Sequence, residues 1–289
     1  MTIHRDRLIT ALSLIRRDYK KEKNEWWWYT YGTFVKFSYD IDQPLTYRKF
    51  ALDDEKLKTK YTEMQRHLRG IRDNLSTLTI MLHQANWQKK MAREGRLDDY
   101  YNDYYNMLYG TALADSFLTK YRSSYDTIAK AIIVIRRDPG HKPRESFTEL
   151  HDICEEDYNK GVRILDEHLT KLIQSCDWYK PMLDARDGIV HENLQSSGFM
   201  HPRILFQIYK GFAKLINIPE VMLNENLADL ELYAAVHIGY TFSLLEEFAS
   251  LAYDILPVKK FSDSETAKSG YVGLGLVKDS IERVLDGRI

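Results

Sequence analysis

The stretch 226–256, NLADLELYAAVHIGYTFSLLEEFASLAYDIL, is apolar around most of a helical circumference rather than along a single stripe. A helix of that kind has no face to give to water, so it belongs at the centre of a bundle. The rest of the chain supplies candidates to surround it. Seven prolines and fourteen glycines in 289 residues leave long uninterrupted segments, and apolar residues recur at steps of three and four rather than two. The expected fold class is therefore all-α.

Upstream of the central stretch, Leu57, Tyr61, Met64, Leu68, Ile71, Leu75, Leu78 and Leu82 predict a long helix from 53 or 54 to about 91. A second, with Tyr101, Tyr104, Leu108, Phe117, Tyr121, Tyr125, Ile128 and Ile132 on its stripe, spans about 97–135. It ends where RRDPGHKPRES brings Pro139, Gly140 and Pro143. A third fits 146 to about 174, and after the CDWYKP turn a shorter helix opens near Asp184, a candidate N-cap with Asp187 at N3. At the N-terminus, Leu8, Leu12, Ile15 and Tyr19 share one face of an amphipathic helix. Two segments stay open. WWWYTYGTFVKFSYDIDQPLTY breaks the helical period and suits a short hairpin or an extended crossing. HPRILFQIYKGFAKLINIP suits either a helix through Leu205, Ile208, Phe212 and Leu215 or a hairpin turning at Lys210-Gly211. After Pro257 the chain becomes a polar loop with a short terminal helix, over 257–289.

Lys plus Arg number 41 against 42 Asp plus Glu, so no whole-protein field attracts nucleic acid, and any such binding rests on local basic patches. Two cysteines, Cys154 and Cys176, are too few for a secreted disulfide framework or a four-thiolate zinc site. The longest aliphatic run, AIIVI at 131–135, falls well short of a membrane span. The expectation is a cytoplasmic protein without membrane attachment, metal or cofactor.

Within DARDGIVHEN, at 184–193, an arginine and a histidine stand five positions apart. Spacing alone proves little, because roughly two Arg-then-His pairs of this kind are expected by chance. The chain holds Arg136/His141, Arg144/His151, Arg163/His168 and Arg186/His191. Only the last joins an immediately following polar residue, Asp187, to an apolar lead into the histidine near a helix opening. On ideal geometry five residues put Arg186 and His191 about 140° apart. The pair then requires Arg186 in an opening turn, reaching around, or a turn loosened at Gly188.

The motif RDGIVH, with two long helices before it and one after, resembles the HEPN superfamily of all-α nucleotide-binding and ribonuclease domains. The resemblance covers roughly 96–256, which it makes a HEPN-like antiparallel helical bundle, leaves 1–95, with its aromatic-rich segment, as an N-terminal helical extension, and is closest to the larger stand-alone prokaryotic members. It implies a metal-independent endoribonuclease acting as a homodimer, with the two motifs facing each other, and Arg186, Asp187 and His191 as catalytic residues. It also implies RNA as substrate and a toxin or abortive-infection role with a neutralising antitoxin partner. The chemistry suits these residues: RNA carries its own 2′-hydroxyl nucleophile, imidazole transfers protons near neutral pH, and guanidinium grips phosphate through a bidentate fork. The alternative within the resemblance is a non-catalytic module that binds nucleotide or protein, with Arg186 and His191 holding the dimer together.

Other polar features carry two readings each. Asp115, Thr119, Arg122 and Asp126 share one stripe of the 97–135 helix. They either line the groove facing the motif helix, where Arg122, Asp126 and Asp115 meet substrate, or form an ordinary solvated face. Trp26, Trp27, Trp28 and Tyr29, with Lys20, Lys21 and Lys23 nearby, either stack unpaired bases or pack in a core or dimer interface. Arg66/Arg69/Arg72 and Lys89/Lys90/Arg93/Arg96 follow helix spacing and read as solvated faces, or as a track for an RNA backbone. His151 and Cys154 lack a second close ligand pair for a metal, and GYVGLGL is followed by too short a tail for a βαβ nucleotide fold.

Overall fold

A computed structural model describes residues 4–20, 23–44, 54–94, 104–136, 146–191, 197–200, 203–207, 222–224, 227–258 and 267–287. The fold is mainly α, as the periodicity requires. In chain order the elements are α1 (Arg5–Leu14), β1 (Ile15–Lys20), β2 (Glu25–Thr30), α2 (Thr33–Asp42), α3 (Glu55–Arg93), α4 (Tyr104–Arg136), α5 (Phe147–Glu156), α6 (Tyr158–Ile164), α7 (Glu167–Gln174) and α8 (Tyr179–His191). There follow β3 (Ser197–Met200), β4 (Arg203–Gln207), β5 (Met222–Asn224), β6 (Leu227–Asp229), α9 (Leu230–Ile255), β7 (Ser269–Gly270) and α10 (Leu274–Leu285). Two small antiparallel sheets, β1-β2-β7 and β3-β4-β6-β5, flank the helices.

The central helix is α9. Asp229 caps it, its carboxylate accepting from the amides of Glu231 (2.9 Å) and Leu232 (3.2 Å), which satisfies two of the orphan donors of the first turn. From Leu230 to Leu245 every residue is buried, and α1, α2, α3, α4, α7 and α10 all pack around it. The start at Leu230 rather than 226 reflects β6, which draws Leu227–Asp229 into the second sheet. The pair α3 and α4 is antiparallel: Lys60 reaches the Ile135 carbonyl (3.3 Å) while Asn74, further along α3, meets Thr127, further back on α4 (3.3 Å).

A polar seam inside this core sets α4 against α9. The Tyr121 hydroxyl donates to the His237 carbonyl (2.9 Å) and lies 3.0 Å from the Tyr125 hydroxyl, which accepts from Trp178 Nε1 (2.8 Å). Hydroxyl and indole groups in a core are costly unless paired, so the seam favours one register of α4 over its neighbours. It turns Tyr121 and Tyr125 inward and leaves the Arg122 stripe on the other side of α4.

Several expected elements come out differently. The first helix stops at Leu14, and Ile15 is already extended. Tyr19, expected on a helical stripe with Leu8 and Leu12, instead pairs across β1–β2 with Trp26, ring centroids 5.6 Å apart. Aromatic cross-strand pairing prevails there over the helical period. The aromatic-rich segment yields β2 and then α2, whose first turn is capped from afar by the Glu246 carboxylate of α9, which accepts from the Thr33 (2.5 Å) and Phe34 (3.1 Å) amides. Gly32, at φ 117°, permits that approach, since a Cβ there would sit 2.6 Å from a Glu246 oxygen. The expected 146–174 helix is three helices, because Asp157 and Asp166 accept from the amides of Lys160 (3.0 Å) and Leu169 (2.9 Å) and start α6 and α7 afresh. The open HPRILFQIYKGFAKLINIP segment includes β4, in a hairpin with β3. Lys210-Gly211 lies outside the described residues.

Candidate functional site

The motif helix α8 begins at Tyr179, five residues before the expected opening. Asp184 is therefore an interior helical residue, not an N-cap, and Arg186 lies in the third turn rather than the first. The helix is continuous through Gly188 to His191, so neither route for bringing the two motif residues together within one chain is realised. The side chain of His191 lies outside the described residues.

Tyr179 seats the start of α8 on α4 and α5. Its ring stacks on Tyr125 with centroids 5.1 Å apart, and its hydroxyl lies 2.9 Å from Thr148 Oγ1. Burial, helped by the Asp126 charge, pushes the Tyr179 hydroxyl up to about 12, so it is a neutral hydrogen-bonding group at physiological pH. Packing here brings the first polar residues of the motif opposite the α4 stripe. Arg186 Nη1 donates to Asp187 Oδ1 at 2.6 Å, and Arg122 Nη1 lies 4.0 Å from that same oxygen. One carboxylate oxygen thus draws guanidinium groups from two helices. The Arg186 side chain is 15% exposed and that of Asp187 44%, which places the anion between a largely enclosed cation and solvent.

The remaining stripe residues separate by role. Asp126 Oδ1 accepts the Phe147 amide (2.9 Å), a cap on α5 that ties the carboxylate to structure. Asp115 meets Thr119 (3.4 Å), two turns from Arg122 along α4. Asp184, which sequence reasoning read only as a cap, has its carboxyl held above the ordinary range by burial first and by the neighbouring Asp187 charge second. Its i, i+3 relation to Asp187 on one helix was the available signal.

Several other polar signals take structural roles. Arg72 and Arg69 reach Asp42 of α2 at 2.8 and 3.7 Å, so these two cations brace α2 against α3. His151 is buried beside Phe147 and Tyr179, and Cys154 and Cys176 are buried free thiols. No group of three or more potential metal ligands occurs among the described residues. Among the described residues no helix is long and apolar enough to cross a membrane. No protein-family model, curated protein or solved structure matches the chain.

Proposed function

We propose that this protein is a metal-independent endoribonuclease of HEPN type that works as a homodimer, with Arg122, Arg186, Asp187 and His191 at its site. The observation that carries the reading is the meeting of Arg122 and Arg186 on one carboxylate oxygen. Two guanidinium groups from different helices around a single anionic oxygen, half open to solvent, are what a phosphodiester oxygen would need. Asp187 holds the forks in place until phosphate competes for them.

The continuous α8 supports a site made by two subunits. With Arg186 committed to the α4 side, position 191 stands about 140° around the same helix axis. Cleavage by 2′-hydroxyl attack forms the 2′-oxygen–phosphorus bond and breaks the phosphorus–5′-oxygen bond, on opposite sides of the phosphorus. One imidazole takes the 2′ proton while a second gives a proton to the departing 5′-oxygen, and a homodimer has two. The guanidinium forks stabilise the charge that builds on the phosphorane.

Purified protein in excess EDTA should cut single-stranded RNA to products with 2′,3′-cyclic phosphate ends. His191→Ala should abolish cutting with its melting temperature unchanged. A strict requirement for divalent metal would overturn the reading.

A further inference from the structure

The β1–β2 hairpin presents two rings, two cations and two carboxylates on one side of its ladder. Its register puts Arg16, Asp18 and Lys20 opposite Tyr29, Trp27 and Glu25 on that side. Lys20 Nζ and Lys23 Nζ lie 5.0 and 4.6 Å from the Trp27 ring centroid, and Lys268 Nζ lies 4.5 Å from that of Tyr29. The opposite side is partly taken, since Trp28 rests on α10 so closely that a Cβ at Gly275 would come within 2.6 Å of Trp28 Nε1. At the hairpin's end Trp26 stays 57% exposed, beneath Arg17 at 5.8 Å. Isolated two-stranded hairpins are marginal in water, and this one is anchored by the β2–β7 pairing and by Trp28.

Charge sets the surface apart from the rest of the chain. Among its described residues Arg16, Arg17, Lys20, Lys23 and Lys268 face only two carboxylates, Asp18 and Glu25, although the whole chain carries a formal charge of −1. The α4–α8 face, by contrast, holds Asp115, Asp126, Asp184 and Asp187 against Arg122 and Arg186. A polyanion therefore needs another surface to draw it in. Trp27 and Tyr29, two residues apart on one strand, sit about 7 Å apart along it, close to the span of one extended nucleotide. A base arriving on Trp27 displaces the Lys20 and Lys23 ammonium groups, which then have the adjacent phosphate as their partner.

We infer that this side of the hairpin is a platform for single-stranded RNA, with bases stacked on Trp27 and Tyr29 and phosphates held by Lys20 and Lys23, while Lys268 stays ion-paired with Asp18. The choice of RNA rests on the nuclease reading; the stacking and charge do not. A single-stranded DNA of the same sequence lacks the 2′-hydroxyl nucleophile, so it reports on the platform while remaining uncut.

The test is fluorescence anisotropy of the full chain with an end-labelled pyrimidine oligonucleotide of about twelve nucleotides, as RNA and as DNA. Both should bind in low salt. Trp27→Ala should weaken binding about tenfold, whereas Trp27→Phe, which keeps a ring, should retain most of it. The double variant Lys20→Glu/Lys23→Glu should weaken it further and lower the slope of log affinity against log salt by about 1.4, two contacts at about 0.7 each. His191→Ala should bind DNA like the wild type. Binding retained by these hairpin variants overturns the inference, as does protein that binds phosphatidylserine vesicles through the hairpin and neither oligonucleotide. Hairpin-dependent binding without cleavage supports the platform and counts against the nuclease alone.

Discussion

Replacing His237 with phenylalanine should make the protein less sensitive to acid. The imidazole is 2% exposed in the middle of α9, among the rings of Tyr121, Tyr233 and Tyr240, and its Nδ1 has no hydrogen-bond partner. Burial pushes its titration down to about 3 from an ordinary 6.5. The sign follows from proton counting: below 6.5 the unfolded chain binds a proton there that the native chain refuses, so stability falls as pH falls. At about 1.4 kcal/mol per unit, the loss between pH 8 and pH 5 is about 2 kcal/mol, rising to about 3 kcal/mol by pH 4. His67, lowered to about 4 by burial and by Arg66 and Lys130, loses stability in the same direction, as does His151, so the wild type responds more steeply than one group alone would give. Urea denaturation of both proteins at pH 8 and pH 5 isolates the His237 share, because any fixed packing cost of the larger ring cancels. The variant should gain about 2 kcal/mol on the wild type over that interval. An equal stability difference at both pH values would refute the reasoning.

Other outcomes follow from single contacts. Asp126→Ala removes the carboxylate that accepts the Phe147 amide and should cost about 1 kcal/mol of stability by chemical denaturation, with Asp126→Asn recovering most of it. Gly32→Ala places a methyl against Glu246 at a positive φ and should cost about 1–3 kcal/mol, visible as a lower melting temperature. Burial pushes the Cys154 thiol up to about 11 and raises that of Cys176 as well, so at pH 8 both should react with a chromogenic disulfide at least about a hundredfold more slowly in the native protein than in urea.

The long helices were legible because their signals are local and repeated. The run from Leu57 to Leu82 carries one stripe through seven turns, and all but its first residue are fully buried in α3. Breaks were less legible where one side chain decided them. Asp157 and Asp166 look like ordinary polar residues on a helical face, yet each caps a new helix. Signals from distant parts of the chain were invisible: nothing near Thr33 announces that Glu246 will cap α2, and the strand from Ile15 depends on a partner that begins ten residues later. At the site, periodicity put Arg122 on a polar stripe with two open readings, a groove facing the motif helix or a solvated face, and the structure sets its Nη1 4.0 Å from Asp187 Oδ1. It did not foresee that Asp126 would be drawn into a cap, because that depends on where α5 starts.

The central claim is that catalysis needs imidazole groups from two subunits. Wild-type protein mixed in increasing proportion with His191→Ala, after unfolding and refolding together to exchange subunits, tests it most directly. If both histidines serve one site, RNA cleavage falls as the square of the wild-type fraction, to about a quarter at an equal mixture. Cleavage falling only in proportion, to about half, would show that each subunit acts alone and would contradict the account.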